Sequence, residues 1–329
     1  MSGEARPALS VVVPVYNGAR TIGPLVAALA SCAERVAAEG GMEIVLVNDG
    51  SDDDSAAVCA GLSKTSSVPV TFVDLARNFG EHNAVLAGLR YAAGAHVVTM
   101  DDDLQQPVEE VLRLYDHARA HDLDAVFGRF GERKYAAWRN IGSRLADETA
   151  NVFLGKPRDL VISSFRCMSR RLVDELIAYR GPYPYIDGMI LKLTRRVANL
   201  VVAHFARESG QSNYTIRRLA RLWSHILFNF SVRPLRISLA CGFGAFGLAL
   251  AGVIYVLIDH LAGSREAPGW ASLMVVALVF SGLQFIFLGL IGEYVGRIYM
   301  SIGGMPQASV HRVIRGAGSG SGSGPGTAP

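Results

Sequence analysis

Asp101, Asp102 and Asp103 stand side by side and are followed by Leu104 and Gln105. Three adjacent carboxylates repel one another unless a cation neutralises them, and hard oxygen donors of this kind suit Mg2+ or Mn2+ shared with a diphosphate. The triplet directly follows Val97-Val98-Thr99-Met100. That apolar, β-branched run reads as a buried strand, so the acids belong at its C-terminal edge, where open α/β sheets bind ligands. A plainer reading of the same residues is a solvated acidic turn capping a helix that begins near Pro107.

The elements that must position this loop lie before it. Leu9-Ser10-Val11-Val12-Val13-Pro14-Val15 reads as a strand broken by Tyr16-Asn17-Gly18, and a helix is expected from about Thr21 to Ala38, ending at Gly40-Gly41. Met42 to Val47 is the next strand, closed by Asn48-Asp49-Gly50-Ser51-Asp52. Val68 to Leu75 is a third, followed by Arg77-Asn78-Phe79-Gly80 and a helix to about Ala93. Strands and helices alternating at this spacing predict βαβ units and a doubly wound, mostly parallel sheet. No glycine-rich phosphate loop follows the first strand, which disfavours a dehydrogenase or an ATPase. A diphosphate here must be neutralised by a metal and by arginines.

Composition narrows the class. Half of the 329 residues are hydrophobic, which is high for a purely soluble protein and points to a membrane segment. A net charge of +3 with no dense Lys/Arg run argues against nucleic acid as a partner. Cys32, Cys59, Cys167 and Cys241 lie far apart, without metal-ligand spacing, as small apolar residues of a reducing compartment do. The polar start runs straight into a strand, so no signal peptide is expected.

Taken together and in order, Val13-Pro14-Val15-Tyr16-Asn17, Val47-Asn48-Asp49-Gly50-Ser51, Arg77-Asn78-Phe79-Gly80 and Asp101-Asp102-Asp103-Leu104-Gln105-Gln106-Pro107 resemble glycosyltransferase family 2. Within it the chain looks like the polyprenyl-phosphate glycosyltransferases, the group of dolichyl-phosphate mannose synthase and the bactoprenol glucosyltransferases, over about residues 9–300. The resemblance implies a GT-A fold, an inverting mechanism, a nucleotide-diphosphate-sugar donor (UDP the better guess) and a divalent metal. It places Pro14 and Tyr16 against the nucleoside and Asp49 on the base. Asp101, Asp102 and Asp103 meet the diphosphate, and Asp101, Asp103 and Gln105 are the metal ligands. The chain departs from the pattern at Gly18, where many members carry an acid, and at Asn48, where an aspartate is common.

The middle segment carries the cations. Arg129 ends a strand that begins at Ala125, and Arg139 and Ser143 lie one helical turn apart on one face. By the resemblance these three hold the acceptor's phosphate, and guanidinium groups do hold phosphate oxygens bidentately. In Lys156-Pro157-Arg158-Asp159 to Ser163-Ser164-Phe165-Arg166, Ser164 stands where many members have Asp or Gly, which leaves Asp159 as the nearest carboxylate able to assist the acceptor. Asp187 is read as a capping or orienting residue. Arg207 opens a loop over the diphosphate in which Asn213 replaces the family's lysine.

Residues 1–208 are thus expected as a cytosolic catalytic domain. Residues 209–234 should be a loop and a basic amphipathic helix, with Arg217, Arg218, Arg221 and His225 on its polar side, lying against membrane lipids. Ile237 to Ile258 and Trp270 to Ile291 are uncharged, each about 33 Å as a helix. They predict a two-helix transmembrane hairpin over 235–292 with a short external loop, both flanks cytosolic by their arginines. Residues 293–315 are expected as a returning interfacial segment and 316–329 as a disordered tail. The expected protein sits in a bacterial-type inner or plasma membrane. It moves a sugar from the donor to a polyprenyl phosphate, and the resemblance suggests a homo-oligomer, a tetramer by the family guess. A processive polysaccharide synthase shares the donor domain but uses more spans and a Gln-x-x-Arg-Trp motif, both absent here. A non-catalytic membrane scaffold is the remaining alternative.

Overall fold

The computed structural model describes residues 6–130, 159–181, 184–203, 269–302 and 307–316, with scattered positions from 240 to 258. The chain divides into two units, one made of Met1–Thr215 with Pro306–Pro329 and the other of Ile216–Met305.

Among the described residues the first unit is built on an eight-stranded sheet. Its strands are β1 (Leu9–Val15), β2 (Met42–Asn48), β3 (Val70–Leu75), β4 (His96–Thr99), β5 (Ala125–Phe130), β6 (Arg166–Ser169), β7 (Val197–Val202) and β8 (Val310–Arg315). They lie in the order β7-β5-β6-β4-β1-β2-β3-β8. The centre, β4-β1-β2-β3, is parallel, while β6 and β8 run antiparallel to their neighbours. This is the doubly wound, mostly parallel sheet that the alternation predicts.

Helices α1 (Ile22–Cys32), α2 (Ser55–Thr65), α3 (Glu81–Leu89), α4 (Val108–Ala120), α5 (Arg170–Ile177) and α6 (Ile186–Leu193) flank it. Successive strand residues face opposite sides of the sheet. Accordingly Val11, Val13, Val15, Ile44 and Leu46 share one core with Ile22 and Leu25 of α1 and with Val111 and Leu114 of α4. On the other face Val12 and Val47 close on Gly88 of α3. A strand buried on both faces is mostly apolar, and the buried polar exceptions in β1 and β2 are paired: Ser10 Oγ donates to Glu43 Oε1 at 2.6 Å, and Asn48 Nδ2 to Asp74 Oδ1 at 2.8 Å. The expected helix over 21–38 is an α-helix to Cys32 and a 3-10 helix over Ala33–Glu39, ending at Gly40 with φ 122°.

The sequence expectation is corrected at the C-terminal end. Residues 310–315, expected within an interfacial segment, are β8, paired antiparallel with β3 from Thr71↔Arg315 to Leu75↔Val310. Ile314 opposite Phe72 packs on the main core, and Gly316 N donates to Val70 O at 2.9 Å. Val310, Val313 and Ile314 are strand formers, and what makes them a strand is the open edge of β3 more than two hundred residues earlier in the chain.

In the second unit α7 (Trp270–Ile302) is continuous for 33 residues, about 50 Å. The stretch from Glu293 to Tyr299, expected as a separate interfacial segment, is its last part. Within α7, Val279–Gly296 is long and apolar enough to cross a membrane, with Phe280, Phe285, Ile286 and Leu288 exposed. The expected first span and the amphipathic helix lie largely outside the described residues.

Candidate active site

In the sheet, β1 lies between β4 and β2: the chain goes one way from β1 to β2 and β3, then returns to β1's other side as β4. The crevice between the C-terminal ends of β1 and β4 is therefore the topological switch point, where sheets of this type bind ligands. Tyr16 to Gly18 leave β1 on one side of it, and Asp101 to Gln106 leave β4 on the other.

The β1 loop is fixed by its neighbours. Asn17 N donates to Ser51 Oγ at 3.0 Å, Gly18 N to Ser55 Oγ at 2.9 Å and Ala19 N to Asp53 Oδ2 at 3.2 Å, while Asn17 Oδ1 accepts from Asp52 N at 3.0 Å. Asn17 has φ 55°, a left-handed conformation that asparagine tolerates. Pro14 pairs within β1 opposite Val47, and Tyr16 beyond it is 49% exposed at the crevice.

Asp49, expected on the base, is 3% exposed and uses both oxygens on the 77–80 loop: Oδ1 accepts from Phe79 N at 2.7 Å and Oδ2 from Gly80 N at 2.9 Å. Burial raises its pKa against those two hydrogen bonds. Gly50, with φ +61°, lies so close to the backbone of Arg77 and Asn78 that no side chain fits there. Asn48 Nδ2 donates to Asp74 Oδ1 at 2.8 Å, and Arg312 of β8 reaches Asp74 Oδ2 at 3.5 Å. An aspartate at position 48 would set its carboxylate against that of Asp74.

Asp101 and Asp102 turn to opposite sides of the crevice. Asp101 Oδ2 accepts from Gln106 Nε2 at 2.7 Å and from Ser164 Oγ at 2.9 Å, and its own N–H donates to Gln106 Oε1 at 3.1 Å. Thr99 Oγ1 in turn donates to Ser164 O at 2.6 Å. Asp102 Oδ2 instead accepts from Tyr16 N at 3.3 Å. Asp103 Oδ1 accepts from Gln105 N at 3.1 Å, closing a turn whose Leu104 has φ 59°. Burial, the nearby Glu81 and the other two acids of the triplet push the Asp101 carboxyl up to about 7. Burial and Asp103 push Asp102 up to about 6 against the bond from Tyr16.

These carboxylates pay in proton affinity for crowding that a dication would relieve, and the donor set of Asp101, Asp103 and the Gln105 amide is all hard oxygen. Among the described residues no three Asp, Glu, His or Cys side chains converge on one point.

Beneath the loop lies a charged group that the sequence reading missed. Arg166 on β6 is 1% exposed and ion-paired with Asp187 of α6. Glu81, Tyr185 and Asp101 also lie within its field. His82 stands edge-on to the Tyr185 ring, centroids 5.2 Å apart, with Nδ1 buried and without a partner. An arginine between Phe165 and Cys167 in a buried strand is itself a signal, because a charge there demands a buried partner. Gln106 and Ser164 were likewise not singled out as supports of Asp101.

Arg129 is exposed at the end of β5, with β6 between it and β4. Asp159 is exposed. Arg139, Ser143 and Arg207 lie outside the described residues.

The chain is similar to several known proteins. Residues 10–177 match the model of Glycosyl transferase family 2, and residues 233–298 match the GtrB C-terminal hairpin. The undecaprenyl-phosphate 4-deoxy-4-formamido-L-arabinose transferase of Pseudomonas aeruginosa (strain LESB58) is 34% identical over 318 residues, 93% of this chain and 90% of that protein. The chain belongs to glycosyltransferase family 2. A second relative with the same activity in its name, from Pseudomonas savastanoi pv. phaseolicola, is 32% identical over 93% of this chain and 91% of its own length. Among solved structures, Mycobacterium tuberculosis glucosyl-3-phosphoglycerate synthase with Mn2+, UDP and glucosyl-3-phosphoglycerate overlaps with TM-score 0.48 and 17% identity, over 67% of this chain and 77% of that one. As a family 2 glycosyltransferase the chain is an enzyme, and the matched residues 10–177 include the loops after β1 and β4.

Proposed function

We propose that this glycosyltransferase moves a sugar from a nucleoside-diphosphate donor, UDP-linked by preference, to a polyprenyl phosphate at the membrane, with inversion at the anomeric carbon. The observation that carries the reading is the three-carboxylate loop facing Tyr16 across the switch point, in a chain whose relatives along nearly their whole length are undecaprenyl-phosphate sugar transferases.

In this reading Pro14, Tyr16 and Asp49 form the nucleoside end of the crevice, Asp49 by shaping the 77–80 loop, and Asp101 to Gln105 form the diphosphate end. Asp101, Asp103 and Gln105 would hold Mg2+ or Mn2+, which would supply positive charge beside the diphosphate leaving group. Arg207 adds a second positive charge there, and such electrostatic help is the largest contribution expected in phosphoryl-linked departures. A phosphate acceptor is already ionised at pH 7, so Arg129, Arg139 and Ser143 need only orient it, and Asp159 stands as the nearest carboxylate to assist. The hairpin around residues 233–298, to which α7 belongs, holds the catalytic unit at the cytosolic membrane face, and the protein works as a homo-oligomer, a tetramer by family precedent.

The test is transfer of radiolabelled sugar from UDP-sugars or GDP-sugars to undecaprenyl phosphate by the detergent-purified chain, with and without Mn2+. Labelled lipid with at least one donor, lost roughly 100-fold or more in Asp103→Asn, is the expected result. No labelled lipid from any donor, or wild-type turnover in Asp103→Asn, overturns it.

A further inference from the structure

His117 and His121 lie one turn apart at the C-terminal end of α4, on the same face. Their ring centroids are 4.3 Å apart and the ring planes are inclined at 37°. His117 is half-buried and His121 exposed. His121 Nδ1 lies 3.0 Å from His117 O. A carbonyl only accepts, so Nδ1 carries the proton, and Nε2 of the neutral ring keeps its lone pair. That is the arrangement of a metal-binding histidine, whose other ring nitrogen donates to a backbone carbonyl and so fixes the tautomer. Burial and the neighbouring His121 hold the His117 pKa below its ordinary 6.5, so this ring too is neutral at pH 7.

We propose that His117 and His121 chelate one borderline transition-metal ion, Zn2+, Ni2+ or Cu2+, with water completing its shell. Two nitrogens bound to one ion at about 2.0–2.1 Å stand about 3 Å apart, a separation that rings at this spacing reach by rotation about χ2. Both residues belong to the end of the helix, where the carbonyl end of the dipole favours a cation. The arginines around them are already matched by acids, Arg113 by Glu110, Arg119 by Glu39 and Arg35 by Asp116. The site is separate from the crevice. α4 starts where the 101–106 loop ends, and the histidines lie about 15–20 Å further along its axis. Ligand chemistry separates the two as well: carboxylate and amide oxygens suit Mg2+ and Mn2+, whereas imidazole suits Zn2+, Ni2+ and Cu2+. Among the described residues no third Asp, Glu, His or Cys side chain joins the pair, so the affinity is that of a two-ligand chelate.

The experiment titrates Zn2+ and Ni2+ into the full chain in detergent at pH 7, by calorimetry. The protein carries no affinity tag, has been stripped with chelator, and is kept in excess Mg2+ to occupy the oxygen site. Wild type is expected to bind one ion with a Kd of about 1–100 μM, the range for half the ligands of a structural zinc site. His117→Ala and His121→Ala should each weaken binding by about 10-fold or more, and the double variant should lose the site. The melting temperature of each metal-free variant checks its fold. Cu2+ below one equivalent should give an electron paramagnetic resonance spectrum with couplings from two imidazole nitrogens in wild type and from one in either single variant. The wild-type spectrum tests the ligand pair by itself, whatever the substitutions do to folding. Coupling to fewer than two nitrogens in wild type, no site tighter than about 1 mM, or unchanged Zn2+ and Ni2+ affinity in the folded double variant overturns the proposal.

Discussion

Gln106 grips Asp101 at both ends of its side-chain amide, Nε2 donating to Oδ2 at 2.7 Å and Oε1 accepting the Asp101 N–H at 3.1 Å. With Ser164 Oγ on the same oxygen, this fixes the rotamer of an acid that is expected to meet a metal. Groups that orient a metal ligand matter nearly as much as the ligand, typically about 10- to 100-fold in affinity. Gln106→Ala and Ser164→Ala should each weaken Mn2+-dependent nucleotide binding within that range and leave the melting temperature of the apo protein nearly unchanged. A Mn2+ titration of UDP binding checks this, and wild-type affinity in both variants contradicts it.

The buried pair of Arg166 and Asp187 gives a stability prediction. Removing one member leaves the other charged and uncompensated, at about 3–5 kcal/mol. Arg166→Met or Asp187→Leu should lower Tm by roughly 6–20 °C for a domain of this size. The double variant Arg166→Met/Asp187→Leu should recover most of the loss, because desolvation of both charges then disappears. Thermal melts of the three proteins decide it.

Burial, helped by the positive charge of Arg166, holds the His82 imidazole neutral and depresses its pKa to about 4 from an ordinary 6.5. The fold therefore prefers the neutral form. The corresponding stability is complete above pH 6.5 and is lost as pH falls towards 4, about 3 kcal/mol over the window. His82→Phe should flatten the dependence of Tm on pH between 6.5 and 4 relative to wild type. Parallel slopes for the two proteins across that window would falsify the assignment.

Deleting residues 307–316 strips β8 from the edge of β3 and uncovers Phe72 where Ile314 packed. It also removes Gln307, whose side chain takes Arg90 Nη2 at 2.9 Å and donates to the carbonyls of Tyr179 and Gly181 at 3.0 and 2.7 Å. An open, apolar strand edge associates with itself, so the deletion should run as aggregate on size exclusion. Arg312→Ala removes only a half-exposed guanidinium 3.5 Å from Asp74, which keeps its bond from Asn48, so it should cost about 1 kcal/mol or less and stay monodisperse.

The crevice was legible in the sequence because β1, β2 and β4 announce themselves. Each is a run of buried aliphatics that stops at Tyr16, Asn48 or Asp101, and the period of such runs is local information. The partners of those residues were not local. Ser164 reaches Asp101 across 63 residues, and Arg166 reaches Asp187 across 21. Nothing in the spacing of Ser163-Ser164-Phe165-Arg166 says which hydroxyl or cation faces the acids. β8 escaped notice for the same reason, since a six-residue strand takes its identity from the edge it joins. The role of Asp49 shows a subtler limit. Its place at the end of β2 was evident, but that its two oxygens are occupied by Phe79 N and Gly80 N depends on how two loops approach at Gly50.

The position of β8 also orders events in time. Its residues follow the apolar helix α7 in the chain, so they leave the ribosome only after that helix has been made. While the rest of the catalytic sheet can fold as it emerges, β3 waits with one side unpaired for a stretch that is synthesised after α7. Completion of the sheet is thereby a report that the hydrophobic segment has been translated, and a nascent chain cut short anywhere within α7 would carry an unfinished sheet.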